Sequence, residues 1–88
     1  MNFQFTYSKD FKKHYKKLGV IEKKQIKEKL KLLSKAPSHP SLRTKRIKGT
    51  NELFESSANM DIRIIWYYEG DKVIFIVDVG HHDILKQY

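Results

Sequence analysis

The 88-residue chain reads as an α+β domain of order β-α-α-β-β-β, in which two N-terminal helices pack on one face of a mostly antiparallel four-stranded sheet and a short tail or helical turn follows. Three observations predict this class. Polar and aromatic residues alternate with period two from Asn2 to Tyr7, apolar residues recur at helical spacing through Phe11–Leu33, and two β-branched and aromatic runs flank Glu69-Gly70-Asp71-Lys72.

Phe3, Phe5 and Tyr7 of the first strand are expected to enter the core. Ser8 is a good N-cap with Asp10 in the first turn, so a helix starts there with Phe11, Tyr15 and Leu18 on one face. Gly19 is expected to end it by adopting the left-handed conformation. A second helix fits Ile21 to Lys35, with Ile26, Leu30 and Leu33 as its buried stripe, and Ala36-Pro37 stops it because proline lacks the donor a continuing helix needs.

From Ser38 to Asn51 neither helical nor strand periodicity is strong, and the segment reads as an ordered connection anchored by Leu42 and Ile47. It carries Arg43, Lys45, Arg46 and Lys48 within six residues. The plain reading is a solvated loop, and the functional one is a segment that contacts phosphates. Glu52 to Ser57 reads as a strand, and Ile62–Tyr68 with Val73–Val79 as a hairpin. The first strand is expected beside the last. The whole chain, 1–88, reads as a single domain.

Composition narrows the function. The chain is 40% hydrophobic, which takes it out of the disordered class despite 32% charge. It has no cysteine, which excludes disulfides and thiolate metal sites. His81 and His82 are adjacent and point apart, while His14 and His39 are distant in sequence, so neither a metal nor another cofactor is expected. No apolar run reaches membrane-spanning length and the first residues lack a signal-peptide pattern, so a soluble, cytoplasmic protein without membrane contact is expected.

The net charge of +8 is unevenly placed. Residues 1–48 carry 15 basic and three acidic residues, a net +12, whereas residues 49–88 carry three basic and seven acidic, a net −4. Such a split makes a cationic face suited to nucleic acid, or else a lysine-rich solvated helix surface.

Arg63 stands in an apolar run, and Gly80-His81-His82-Asp83 follows the last strand. In an antiparallel hairpin the start of one strand meets the end of the other, so Arg63 and His82 are expected to lie close together. Each has a plainer reading: Arg63 as the cross-strand partner of Glu55 or Asp78, His82 as a surface cap on the chain's exit. Trp66, Tyr67 and Tyr68 suit core and hairpin packing better than base stacking.

The element order, the segment His39–Gly49, the strand Asp61-Ile62-Arg63-Ile64-Ile65-Trp66 and the ending Val79-Gly80-His81-His82-Asp83-Ile84-Leu85 together resemble the RelE/ParE toxin superfamily of toxin–antitoxin systems, nearer its RelE-like and YafQ-like branches. The resemblance implies a ribosome-dependent messenger RNA endonuclease, an mRNA interferase. Such an enzyme works in the ribosomal A site without a metal, the ribose 2′-hydroxyl attacking the adjacent phosphate. It further implies that Arg63 holds the scissile phosphate, that His82 is catalytic and that Tyr88 orients or activates the nucleophile. An acidic antitoxin is the implied partner, in a toxin–antitoxin hetero-oligomer. Arg43, Lys45, Arg46, Lys48 and His81 are the expected RNA contacts.

One departure stands out. Where RelE-like members carry catalytic lysines, this chain has Phe54-Glu55-Ser56-Ser57. Glu55 then becomes a candidate carboxylate base, or Lys45, Arg46 and Lys48 supply the cations, or activity is weak. The same departure keeps open a ParE-like, non-enzymatic inhibitor of DNA gyrase, and an inactive RNA-binding relative.

Overall fold

The computed structural model describes residues 2–88. In chain order it comprises β1 (Gln4–Tyr7), α1 (Lys9–Lys16), α2 (Val20–Lys35), a 3-10 turn (Pro40–Leu42), β2 (Lys45–Arg46), β3 (Phe54–Ser57), β4 (Ile62–Tyr68), β5 (Val73–His81) and a C-terminal 3-10 turn (His82–Gln87). The sheet has five strands, not the four expected, in the order β1-β5-β4-β3-β2. The added strand is Lys45–Arg46, inside the segment read as a connection; two residues are too short to show a period, and only pairing with β3 defines them.

β1 runs parallel to β5, beside which it was expected, and every other neighbouring pair is antiparallel. Alternation along the strands divides the sheet into two faces. On the helix face Ile62, Ile64, Trp66, Ile74, Ile76 and Val79 pack with Phe11, Ile26, Leu30 and Leu33. On the other face Ile47, Ile65 and Ile84 form a smaller cluster joined by Leu53, Val77, Leu85 and Tyr88, so the C-terminal turn folds back onto the sheet. Between Ile65 and Trp66 the β4–β5 register slips: Ile65 faces Asp78 and Trp66 faces Ile76. The extra residue of this bulge, Val77, sits directly before Asp78, and bulges re-aim side chains in this way.

Two local expectations are corrected. Gly19 is not left-handed. Its φ of −70° and ψ of 167° make it the N-cap of α2, and its N–H donates to the Glu22 carboxylate at 3.0 Å. The residues between the helices are too few for both a C-cap motif and an N-cap, and the extended N-cap prevails. Tyr7 remains 38% exposed because β1 is an edge strand; its ring stacks on Phe11 at 5.1 Å. Ser8 caps α1 as expected, accepting from Phe11 N–H at 2.9 Å. Among the described residues no helix is long and apolar enough to cross a membrane.

Candidate functional site

Strand alternation settles which residues of the expected site share a face. Glu55 pairs with Ile65 and Lys45, and Ser57 pairs with Arg63. Lys45, Glu55, Ser57, Ile65 and Arg63 therefore lie on the face away from the helices. Phe54 and Ser56 point the other way. Phe54 stacks on Trp66 at 4.8 Å, and the fully buried Ser56 hydroxyl accepts from the Trp66 indole N–H at 2.8 Å and pairs with Thr44 Oγ1 at 2.7 Å. Of the β3 residues, Glu55 and Ser57 face the side away from the helices, where Glu55 is buried, only 7% exposed.

Arg63 is held from two sides. Its Nη1 donates to the carbonyls of Asn59, Met60 and Ile62 at 3.1, 3.1 and 3.2 Å. Its Nε lies 3.7 Å from a Glu55 carboxylate oxygen, so the plainer expectation, a pair with Glu55, is present in the structure. Nη2 has no hydrogen bond among the described residues.

The turn that cages Arg63 is itself fixed: Asn59 Oδ1 accepts from the N–H groups of Asp61 and Ile62, both at 2.7 Å, and Asn59 Nδ2 donates to Gln25 of α2 at 2.7 Å. A pocket of about 190 Å³ opens beside it, lined by Lys29, Ser41, Arg43, Ser57, Asn59 and Arg63 among others, three cations and no carboxylate. Arg43 reaches this pocket from a left-handed backbone with φ of 48° at the end of the first 3-10 turn, an uncommon conformation for arginine. Lys29 Nζ donates to the Ser41 carbonyl at 3.3 Å, which ties α2 to the same loop.

The remaining expected residues are dispersed. Arg46 lies on the helix face, its guanidinium 5.6 Å from the centre of the Phe54 ring, and Lys48 is exposed in the turn after β2. Alternation along one strand splits a cluster that is compact in sequence. Arg63 pairs in register with Gly80 and Ile62 with His81, so His82 leaves the sheet one step past the last pair, at the same end as Arg63. His82 is exposed, and its side chain has no hydrogen bond or ion pair among the described residues.

His81 turns toward the helix side, its Nδ1 2.5 Å from Asp61 and its Nε2 3.9 Å from Glu22. The bond to Asp61 raises the His81 imidazole above its ordinary value and lowers the Asp61 carboxyl below its own.

Tyr88 lies across the open face of the sheet. Its hydroxyl donates at 2.8 Å to Asp78 Oδ2, and burial followed by this bond pushes the phenol's pKa well up. Asp78, only 1% exposed, also accepts at Oδ1 from Val79 N–H at 2.8 Å and from His14 Nδ1 at 2.6 Å. Sequence reading passed over His14, Lys29 and Asn59. An aspartate inside an apolar strand was a visible signal at Asp78, but its partner in α1 is 64 residues away and nothing local announces it.

No protein-family model matches the chain, and no curated protein matches it. Solved structures do. The E. coli DinJ–YafQ toxin–antitoxin complex contains a chain superposing with a TM-score of 0.78 at 19% identity, over 97% of this chain and 98% of that one. A mutant of the E. coli toxin RelE in the free state gives 0.75 at 18% identity, over 99% and 93%. The archaeal RelE–RelB complex from Pyrococcus horikoshii OT3 gives 0.73 at 21%, over 92% and 96%. Over more than nine-tenths of its length the chain shares the fold of these RelE and YafQ toxin structures.

Proposed function

We propose that the chain is the toxin of a toxin–antitoxin pair and an endoribonuclease that cuts messenger RNA in the ribosomal A site. The observation that carries this reading is the pocket beside Arg63, where Lys29, Arg43 and Arg63 converge with no carboxylate among its lining residues. Such a site suits a phosphate, and the free Nη2 of Arg63 is a donor already held in place.

In the proposed reaction the ribose 2′-oxygen attacks the adjacent phosphorus, the bond from phosphorus to the 5′-oxygen breaks, and a cyclic phosphate and a 5′-hydroxyl result. The 2′-hydroxyl must lose a proton, the leaving oxygen must gain one, and charge accumulates on the phosphate between these events. Arg63, with Arg43 and Lys29, balances that charge. Glu55, buried outside the pocket lining but 3.7 Å from Arg63 Nε, is the candidate to accept the 2′-proton in place of the lysines found in RelE-like members, with Lys45 opposite it on β2. His82, unpaired at the same end of the sheet, gives its proton to the leaving oxygen. Tyr88, its hydroxyl engaged with Asp78, orients the tail beneath the RNA. Lys45 extends the RNA-binding surface on the Glu55 side of the sheet, with Lys48 in the turn after it, while Arg46 and His81 stand on the helix side and would contact RNA only there.

An acidic antitoxin is the proposed partner, a reading supported by the complexes in which the YafQ and archaeal RelE chains were solved. A second reading, a non-enzymatic gyrase poison of the ParE type, is favoured by Glu55 and Ser57 standing at the open-face positions of β3 instead of lysines. Brief expression in cells separates the two. The nuclease stops amino-acid incorporation first and leaves cut messages on ribosomes; loss of thymidine incorporation first, with DNA breaks, would favour the gyrase reading.

A further inference from the structure

A second pocket, of about 250 Å³, lies between α1 and the C-terminal turn, with His14, Lys17, Gly80, His81, Asp83 and Gln87 in its lining. His14 links it to the buried Asp78. Because Asp78 Oδ1 lies 2.6 Å from Nδ1, that nitrogen carries the hydrogen, and Nε2 is left to meet a ligand. Nε2 accepts a proton when the ring is neutral and donates one when it is charged, while Asp78 holds the ring's orientation in both states.

Asp78 also accepts from Val79 N–H and the Tyr88 hydroxyl, which fix the carboxylate that orients His14. Lys17, the C-cap of α1, has no ion pair among the described residues. Asp83 is the one carboxylate in the lining.

The position of this pocket connects it with the first one. Gly80 lines it and is also the register partner of Arg63. A Cβ at Gly80 would stand 3.0 Å from Ile84 Cδ1, so the glycine lets the tail close one wall of the pocket. Both pockets therefore border the end of the β4–β5 pair where Arg63 and Gly80 face each other.

We infer that the pocket between α1 and the tail is a second phosphate-ester site, in which a backbone phosphate of the same RNA strand sits against His14 Nε2 and Lys17 Nζ. This rests on the reading of the chain as an RNA-binding protein. The groups around His14 are Asp78, bonded to its Nδ1, and Lys17, His81 and Asp83, which share the pocket lining; a bound phosphate adds a negative charge to that set.

The test is NMR of the histidine rings and arginine Nε groups, with a short RNA oligomer whose 2′-hydroxyls are methylated so that it cannot be cut. His14 resonances are expected to move saturably in the parent and to keep moving in Arg63→Ala. Lys17→Gln is expected to weaken the oligomer's affinity at His14 about tenfold, the size expected for one charge-assisted bond.

Movement at Arg63 with His14 still would overturn the second site and leave the first. Movement at neither would overturn the RNA reading and the second site together. Movement at His14, in a protein that does not arrest translation in cells, would keep the pocket and remove the nuclease.

Discussion

The phenol of Tyr88, the last residue of the chain, donates a 2.8 Å hydrogen bond to Asp78, a carboxylate that is 1% exposed in the middle of β5. The bond joins the C-terminal turn to the sheet, and His14 on the other oxygen of the same carboxylate joins α1 to it. His14, 64 residues before Asp78, and Tyr88, ten after it, thus meet on one buried negative charge. Burial of such a charge is tolerated only when it is fully hydrogen-bonded, as it is here.

Tyr88→Phe removes one of the three donors to Asp78 while keeping the ring. The expected cost is about 1.5 kcal/mol, the worth of a hydrogen bond to a charged group. Urea denaturation of parent and variant measures it, and an unchanged midpoint would show that the tail is not anchored through this bond.

Ser56→Ala leaves the buried Trp66 indole N–H without its acceptor and Thr44 without its partner. Destabilisation of about 1–3 kcal/mol is expected, the penalty of an unsatisfied buried donor. Tryptophan fluorescence on unfolding reports it directly, since this is the chain's single tryptophan.

The His81–Asp61 pair predicts a pH dependence of stability. The folded His81 titrates above its ordinary 6.5, so its contribution is complete below that value and is lost as pH rises through the raised one. Asp61 titrates below its ordinary 3.8, so its contribution is present above that value and is lost as pH falls through the lowered one. The pair therefore acts between the lowered Asp61 and the raised His81 values. The difference in stability between the parent and His81→Asn should vanish above that window, and a difference persisting unchanged into alkaline solution would remove the pair as its source.

Charge reversal discriminates the surfaces. Reversing Lys45, Arg46 and Lys48 should weaken RNA binding more than reversing Lys12, Lys16 and Lys23, and within the first set Lys45 should matter more than Arg46, which lies over Phe54 on the helix face. Each lost phosphate contact should also flatten the salt dependence. Equal losses from the two triple variants would mean that the charge acts only as a diffuse field.

Much of this was legible in the sequence wherever one period or one short motif decides the outcome. The N-cap at Ser8, the stripe of Ile26, Leu30 and Leu33, and the hairpin around Gly70 follow from local spacing and match the structure. That β1 lies beside β5 was also foreseen, though not that the two run parallel. Lys45–Arg46 was not, because a two-residue strand has no period and exists only through its partner. Gly19 misled because glycine suits both a helix end and a helix start. In the candidate site, Arg63 announced itself as a cation in an apolar run, whereas Lys29 and His14 look like any other polar residues on basic helices. Only the fold shows that one lines the pocket with Arg63 and the other meets Asp78.

The most direct test of the central claim is cleavage of a message on purified ribosomes, in the presence of a metal-free aliquot of the protein, by the parent and by folded Arg63→Ala and His82→Ala. The parent is expected to cut in the A site, leaving a cyclic phosphate and a 5′-hydroxyl. Each variant is expected to cut at least about 100-fold more slowly, the usual loss when an acid, a base or a charge-balancing donor is removed. Variants that fold and cut as fast as the parent, or a parent that leaves ribosome-bound messages intact while breaking DNA in cells, would contradict it.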